Sequence, residues 1–131
     1  MFPQIASLVL RLVLGAIFVV HGVMKFLQMA GMVQFFSKMG VPLPDVAVFA
    51  VALVEVIGGL ALILGLGLGT RVLAVLLAID MVFAIVMVKL QAGLVGGYEF
   101  ELVLIAGLIA IALNGSGQLA LIREKVAAAS A

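Results

Sequence analysis

The sequence contains no cysteine and no tryptophan, and its single histidine is His21. Without cysteine, the chain can form no disulfide, no thiolate metal site and no thiol nucleophile of its own. One histidine is too few for a bis-histidine haem site within one subunit. Because tryptophan is absent, any aromatic belt at a membrane surface has to come from Tyr98 and the eight phenylalanines.

Charged residues are also scarce, at 10% of 131 residues against about 25% in an average soluble domain. Hydrophobic residues make up 67% of the chain, and the mean hydropathy is +1.50. The net charge of +1 and the lack of a basic run give no reason to expect a nucleic-acid partner. We therefore predict a single integral-membrane domain over residues 1–131, in contact with the lipid bilayer of a prokaryotic cell membrane and without a soluble head.

Four long apolar runs predict four transmembrane helices, because about 20 residues at about 1.5 Å each cross the ~30 Å hydrocarbon layer. The predicted helices cover approximately residues 5–25, 45–67, 71–90 and 99–114. Between the first two, segment 32–39 is too short to span, and we predict an interfacial or re-entrant half-helix there. The expected fold is all-α, a four-helix transmembrane bundle. An even number of helices places both termini on one side, and the basic residues favour the cytoplasm.

Glu55 lies near the middle of the second predicted helix, where an ionised side chain costs about 2.5 to 3.5 kcal/mol on insertion. Such a group is expected to face a partner inside the bundle. A helical wheel places these residues of the first helix on one face: Arg11, Gly15, Phe18, Gly22 and Lys25. We therefore predict a buried Arg11–Glu55 pair. It is either a structural ion pair alone or the centre of a site for a quinone carbonyl or a small anionic sulfur species, which the planar arginine fork can grip.

Two further groups of ionisable residues leave their roles open. His21 and Lys25 form either a proton relay or a histidine solvated by headgroups beside a lysine that extends to the surface. Asp80 has no opposite charge within reach on its own helix, so its partner is expected on another helix, with Arg11 or a second copy of the chain as candidates.

The start of the fourth helix carries two carboxylates beside the single tyrosine. Glu99 and Glu101 follow Tyr98 directly, and we predict that they anchor the helix at the membrane interface rather than take part in catalysis. A metal site would need His21 together with carboxylates from other helices, and we predict none.

Several short motifs occur in a fixed order along the chain. They are Arg11 with Gly15, Gly22-x-x-Lys25, Met39-Gly40-Val41-Pro42, Glu55-x-x-Gly58-Gly59, Gly65 with Thr70-Arg71, Tyr98-Glu99, and Asn114-Gly115-Ser116-Gly117. In this order and spacing the chain resembles the DoxX family of small bacterial and archaeal four-helix membrane proteins. Many members close on a Gly-Pro-Gly turn that leads to an acidic residue, whereas here the turn contains serine and no acid follows closely.

The resemblance implies an association with redox chemistry or quinones. Related proteins form the membrane subunit of an archaeal thiosulfate:quinone oxidoreductase. Others are linked to redox complexes with superoxide dismutase and a sulfur transferase, or to quinone and catechol stress. Because this chain has no evident electron carrier of its own, a bound quinone or a soluble redox partner would have to hold the electrons.

The leading hypothesis is therefore the membrane subunit of an oxidoreductase-associated system with a polar intramembrane pocket for a quinone-like or small anionic ligand. The predicted ligand-binding residues are Arg11, His21, Lys25 and Glu55, supported by Arg71, Asp80, Tyr98, Glu99 and Glu101. One alternative is a non-catalytic anchor or assembly factor, which predicts a closed ion pair without a cavity. The other is a small-molecule or proton permease, working as a homo-oligomer, which predicts a wet path to both membrane faces.

Overall fold

The computed structural model describes residues 1–125, which fold into five α-helices. They are α1 (Phe2–Leu27), α2 (Met29–Lys38), α3 (Pro44–Leu64), α4 (Leu68–Ala84) and α5 (Glu99–Asn114). Four helical segments are long and apolar enough to cross a membrane, namely Phe2–Leu27, Pro44–Leu64, Leu68–Ala92 and Leu94–Asn114. The predicted all-α, four-helix transmembrane fold is confirmed. The ten-residue α2 occupies the place of the predicted half-helix.

The turn between α3 and α4 lies three residues earlier than the sequence pattern indicated. α3 ends at Leu64 rather than near residue 67, because Gly65 and Gly67 take positive φ angles of 71° and 58° that a helix does not tolerate. The Thr70 hydroxyl accepts a hydrogen bond from the Leu66 N–H at 2.7 Å. These constraints fold α3 and α4 into an antiparallel hairpin.

Glycines set how closely α1 and α3 pack. A Cβ atom added to Gly15 would lie 2.6 Å from the carbonyl oxygen of Gly59, and one added to Gly22 would lie 2.8 Å from that of Ala52. Such close approach of backbones is typical of small residues at membrane helix interfaces. These two contacts fix the antiparallel register of the pair, so the end of α1 is level with the first half of α3.

The remaining helices complete two hydrophobic clusters. The larger one joins α1, α3, α4 and α5 around these buried residues: Leu14, Phe18, Leu62, Ala74, Leu77, Met81, Leu104, Leu108 and Ile111. The smaller cluster places α2 against α3 through Phe36, Val41 and Val48. α2 therefore covers one end of the bundle, on the side away from the start of α1.

α4 does not end as a regular helix. It continues through a π-helical segment at Ile85–Lys89 and a 3₁₀ turn at Leu90–Ala92, after which Gly93 breaks the chain at a φ of 76°. The segment Leu94–Tyr98, itself interrupted at Val95 and Gly96, then leads into α5. Wide π turns inside helices are rare and occur frequently at functional sites.

After α5, residues 115–125 fold back across the opposite end of the bundle. The N–H groups of Leu121 and Ile122 donate to the carbonyl oxygens of Leu64 and Gly65 at 2.9 and 2.8 Å. We call residues 115–125 the closing segment. It covers the end of the bundle at which α1 begins.

Candidate functional site

A partly open cavity of about 180 Å³ lies between the helices, at the α2 end of the bundle. Five of its lining residues are aromatic: Phe18, Phe35, Phe36, Phe83 and Phe100. Six are ionisable: His21, Lys25, Glu55, Asp80, Lys89 and Glu101. An apolar pocket with a few polar groups is the usual form of a small-molecule site. Since a cavity of about 150 Å³ is enough for benzene, this one has the size for a single ring.

Lys25 and Glu55 form the central ion pair of the cavity. The ammonium nitrogen of Lys25 lies 3.0 and 2.8 Å from the two carboxylate oxygens of Glu55. The Glu55 side chain is 3% exposed and that of Lys25 is 16% exposed, so the pair is shielded from bulk solvent. Glu55 thus has the partner that its position inside a membrane helix requires, but the partner is not the predicted one.

The predicted Arg11–Glu55 pair is wrong. Arg11 and Lys25 are about 21 Å apart along α1 at about 1.5 Å per residue, and the register of α1 against α3 places Lys25, not Arg11, beside Glu55. The helical wheel correctly groups both cations on one face, but it contains no information on which of them is level with Glu55.

Arg11 binds backbone at the other end of the bundle. Its guanidinium donates to the carbonyl oxygen of Leu62 at 3.4 Å and to that of Leu119 in the closing segment. With 1% of its surface exposed, Arg11 holds the closing segment against the C-terminal end of α3, where free carbonyl groups favour a cation. Arg11 lies outside the cavity, so the structure does not bring it together with the other predicted ligand-binding residues.

Asp80 contributes a second carboxylate to the cavity wall. Glu55 and Lys25 are the charged groups that act on it, and the Glu55 carboxylate lies within hydrogen-bonding reach of its side chain. Its oxygen Oδ2 is buried and has no hydrogen-bond partner within residues 1–125. Arg11, one of the two partners predicted for Asp80, lies at the opposite end of the bundle and is ruled out. The Asp80 Oδ2 therefore receives no hydrogen bond from the described residues, although the Glu55 carboxylate is close to its side chain.

Lys89 and Glu101 form a looser pair on the far wall. The ammonium nitrogen lies 3.9 Å from Oε1, and Oε2 is buried without a partner in the described part of the chain. Glu101 is 8% exposed, so its prediction as an interfacial anchor is wrong. It turns inward because α5 begins at Glu99, and two residues of helix rotate Glu101 to the face that packs against α4.

The other predicted residues lie around this arrangement. His21 lines the cavity and is otherwise exposed, and its proposed part in a proton relay stays a prediction. Glu99 is exposed at the start of α5, where its carboxylate accepts a hydrogen bond from the Gly96 N–H at 3.0 Å. Neither Glu99 nor Tyr98 is among the described residues that line the cavity.

Arg71 belongs to the closed end of the bundle. Its Nε lies 2.9 and 2.7 Å from the Glu124 carboxylate oxygens, and its Nη1 donates to the carbonyl oxygens of Ala112 and Leu113 at 2.6 and 2.7 Å. Sequence reasoning missed Glu124, because six residues lie between it and Gly117 at the end of the turn. The available signal was the family pattern of an acid after that turn.

Comparisons with known proteins identify a family and two related proteins. The sequence model of the DoxX family matches residues 6–90, a stretch that contains His21, Lys25, Glu55, Asp80 and Lys89. The chain is 42% identical over 118 residues to "Putative oxidoreductase CatD" of Bacillus subtilis, covering 90% of this chain and 85% of that protein. It is 33% identical over 130 residues to "Uncharacterized membrane protein Rv3486" of Mycobacterium tuberculosis, covering 88% and 78%. No solved structure matches the sequence.

Proposed function

Since the chain belongs to the DoxX family of membrane proteins, we propose that it is the membrane subunit of a redox system and that its cavity binds the ring of a quinone-like molecule. The observation that carries this proposal is the ring-sized cavity, walled by phenylalanines, around the Lys25–Glu55 pair and the Asp80 side chain. A relative whose name describes an oxidoreductase supports the redox part of the proposal.

The cavity residues offer complementary interactions to both oxidation states of a quinone. The phenylalanine side chains can stack on the ring or meet its edge. Lys25 has three N–H donors, and one that is not directed at Glu55 can bind a quinone carbonyl. Asp80 can accept a hydrogen bond from a hydroxyl of the reduced form. Reduction of a quinone takes up two protons with two electrons, and Asp80, Glu55 and His21 are the groups placed to move those protons.

The lining of the cavity favours a neutral ring over a small anion. The Lys25 ammonium group is already bound by both carboxylate oxygens of Glu55. The five phenylalanines of the wall offer an anion no hydrogen-bond donor, and a buried anion without such donors is costly. We therefore favour the quinone-like ligand over the anionic alternative.

The same geometry weighs against the two competing functions. A pure anchor predicts a closed pair, whereas a cavity lies beside the Lys25–Glu55 pair. A permease needs a wet path to both faces, but Leu14, Leu62 and Leu108 are buried between the cavity and the end that the closing segment covers. Electrons would come from a soluble redox partner or another subunit, because the sequence lacks the cysteines that most iron–sulfur centres require.

The proposal is tested by measuring quinone binding to the purified full chain in lipid nanodiscs. The probe is 2,3-dimethoxy-5-methyl-1,4-benzoquinone, a single ring without a tail. We expect Lys25→Met to weaken binding by about tenfold or more, because a hydrogen bond to a charged donor contributes about 1.5 to 3 kcal/mol. Lys38→Met is the matched control, since Lys38 is exposed on α2 and does not line the cavity.

Folding is checked in each variant by helical signal and by a monodisperse elution profile. Failure of the wild-type protein to bind the probe would overturn the proposal. Equal affinity of Lys25→Met and wild type would also overturn it, because the pair would then be structural only.

A further inference from the structure

We propose that the cavity is loaded from within the bilayer, and that its ligand is a quinone with a long apolar tail lying in the groove between α3 and α4. This inference rests on the proposed function and adds the chemical class of the ligand and its route. The ring occupies the cavity, while the tail remains at the lipid-facing surface of the protein.

The groove is separate from the cavity and has a volume of about 340 Å³. Its lining residues are Ala47, Ala50, Val51, Val54, Leu76, Ile79, Asp80 and Phe83. Asp80 is the one polar residue among them. Leu76 and Ile79 are exposed, as expected for a surface that meets lipid. The groove thus offers an apolar trough with a single carboxylate.

Three residues line both the groove and the cavity: Val51, Asp80 and Phe83. The two spaces are therefore separated by side chains only, and rotation of such side chains takes place on short timescales. A molecule whose ring has passed between these residues would leave any attached chain in the groove. These three shared residues therefore connect the cavity, where the quinone ring would bind, with the groove, where its tail would lie.

The position of Asp80 supports this route. An ionisable residue inside a membrane segment is costly and is retained where it serves a function. Asp80 faces the apolar groove, and its buried Oδ2 has no hydrogen-bond partner within the described residues. A hydroxyl or carbonyl-bearing ring that enters between α3 and α4 meets Asp80 first and then the Lys25–Glu55 pair.

The volume of the cavity indicates that the tail stays outside it. The cavity of about 180 Å³ holds one ring and has no space for a chain of many carbons. Lipid chains are as apolar as the groove, so transfer of the tail from lipid brings little hydrophobic gain. We expect the groove to orient the tail and guide the ring, and a blocked groove to exclude tailed ligands selectively.

A second groove provides an internal control. The groove between α4 and α5 has a volume of about 310 Å³ and contains Ile109, which is exposed. Its lining residues are all apolar, and none of them lines the cavity. Ile79 of α4 lines both grooves, but Ile109 is on α5 and lines neither the α3–α4 groove nor the cavity. A bulky residue at position 109 therefore fills a comparable lipid-facing space from the helix that does not border the proposed route.

The experiment compares decylubiquinone with its tail-less parent, 2,3-dimethoxy-5-methyl-1,4-benzoquinone, on the full chain in nanodiscs. We expect Ala50→Trp to weaken decylubiquinone binding by about tenfold or more and to leave binding of the parent ring at the wild-type level. Leu76→Trp blocks the same groove from α4, and it replaces Ala50→Trp as the test variant if Ala50→Trp does not fold. Ile109→Trp is expected to leave both affinities unchanged.

Each outcome decides between the proposals. Unchanged decylubiquinone binding in folded Ala50→Trp and Leu76→Trp would overturn the groove as the tail site, as would equal weakening of both probes. If Ile109→Trp weakens decylubiquinone binding as much as Ala50→Trp does, the effect comes from lipid packing. That result would overturn the inference. Binding of neither probe to wild type would instead reject the proposed function itself.

Discussion

At the scale of single residues, Lys25 and Glu55 depend on each other more than any surface pair would. Exposed ion pairs contribute about 0 to 1 kcal/mol, whereas removal of one partner from a buried pair leaves an uncompensated charge. With Glu55 only 3% exposed, this pair belongs to the second class. The Arg71–Glu124 pair, with side chains 35% and 24% exposed, lies between the two classes.

We therefore expect Lys25→Met to destabilise the protein by about 3 kcal/mol, because Glu55 would remain as a lone buried charge. The double variant Lys25→Met/Glu55→Gln should recover most of this loss, since it removes both charges. The measurement is a double-mutant cycle on unfolding in detergent, with Lys38→Met as the exposed control. If the two single effects simply add, the pair does not couple the helices in the way described.

At the scale of elements, the register of α1 against α3 decides which residues meet. The glycine contacts of Gly15 with Gly59 and of Gly22 with Ala52 allow one alignment of the two backbones. That alignment brings Lys25 to Glu55 and leaves Arg11 to bind the carbonyl oxygens of Leu62 and Leu119. A change at either glycine acts on the candidate site through the backbone.

Substitution of Gly15 by alanine is expected to destabilise the bundle by about 1 to 3 kcal/mol, since its Cβ would lie 2.6 Å from the Gly59 oxygen. Gly31→Ala on α2 is the matched control. Its Cβ would meet nothing within 4 Å, and alanine is the better helix former by about 1 kcal/mol. Thermal unfolding in detergent compares the two variants. If the Gly15→Ala protein is as stable as the Gly31→Ala protein, α1 and α3 are packed less closely at Gly15 than the 2.6 Å distance indicates.

The sequence was sufficient to predict the four transmembrane segments, but it did not predict which residues of the candidate site contact one another. Each span follows from a local run of apolar residues, so hydropathy locates it without knowledge of its neighbours. The partner of Glu55 depends on how far one helix slides along another, and this distance is set by contacts between α1 and α3. The inward position of Glu101 likewise depends on where α5 begins and how it packs on α4. His21, Lys25, Glu55 and Asp80 were identified from their chemistry, and the structure places them on one cavity.

At the scale of the whole molecule, the two ends of the bundle differ in how they are held. The closed end combines the backbone bonds of Leu121 and Ile122 with the guanidinium contacts of Arg11 and Arg71. The α2 end is held mainly by apolar packing around Phe36 and contains the cavity. We expect motions that admit a ligand to occur at the α2 end.

The closing segment can be loosened without disturbing the cavity. We expect Glu124→Gln to speed amide hydrogen exchange at Leu121 and Ile122 severalfold, because the Arg71 contact that holds the segment is weakened while its backbone bonds remain. Quinone binding should stay unchanged. Lys125→Gln, at an exposed neighbouring position, is the control. Exchange rates equal to those of the control would show that Glu124 does not hold the segment in place.

The separation between the cavity and the closed end has a consequence for the two leaflets of the membrane. The start of α1 and the closing segment lie at the closed end, whereas Lys25, Asp80 and the α3–α4 groove lie in the half of the bundle nearer α2. We therefore expect a molecule diffusing in the bilayer to reach the groove from one leaflet, the one farther from the closed end. For the predicted orientation, with the start of α1 in the cytoplasm, this is the outer leaflet, and the same molecule in the inner leaflet would not reach the site.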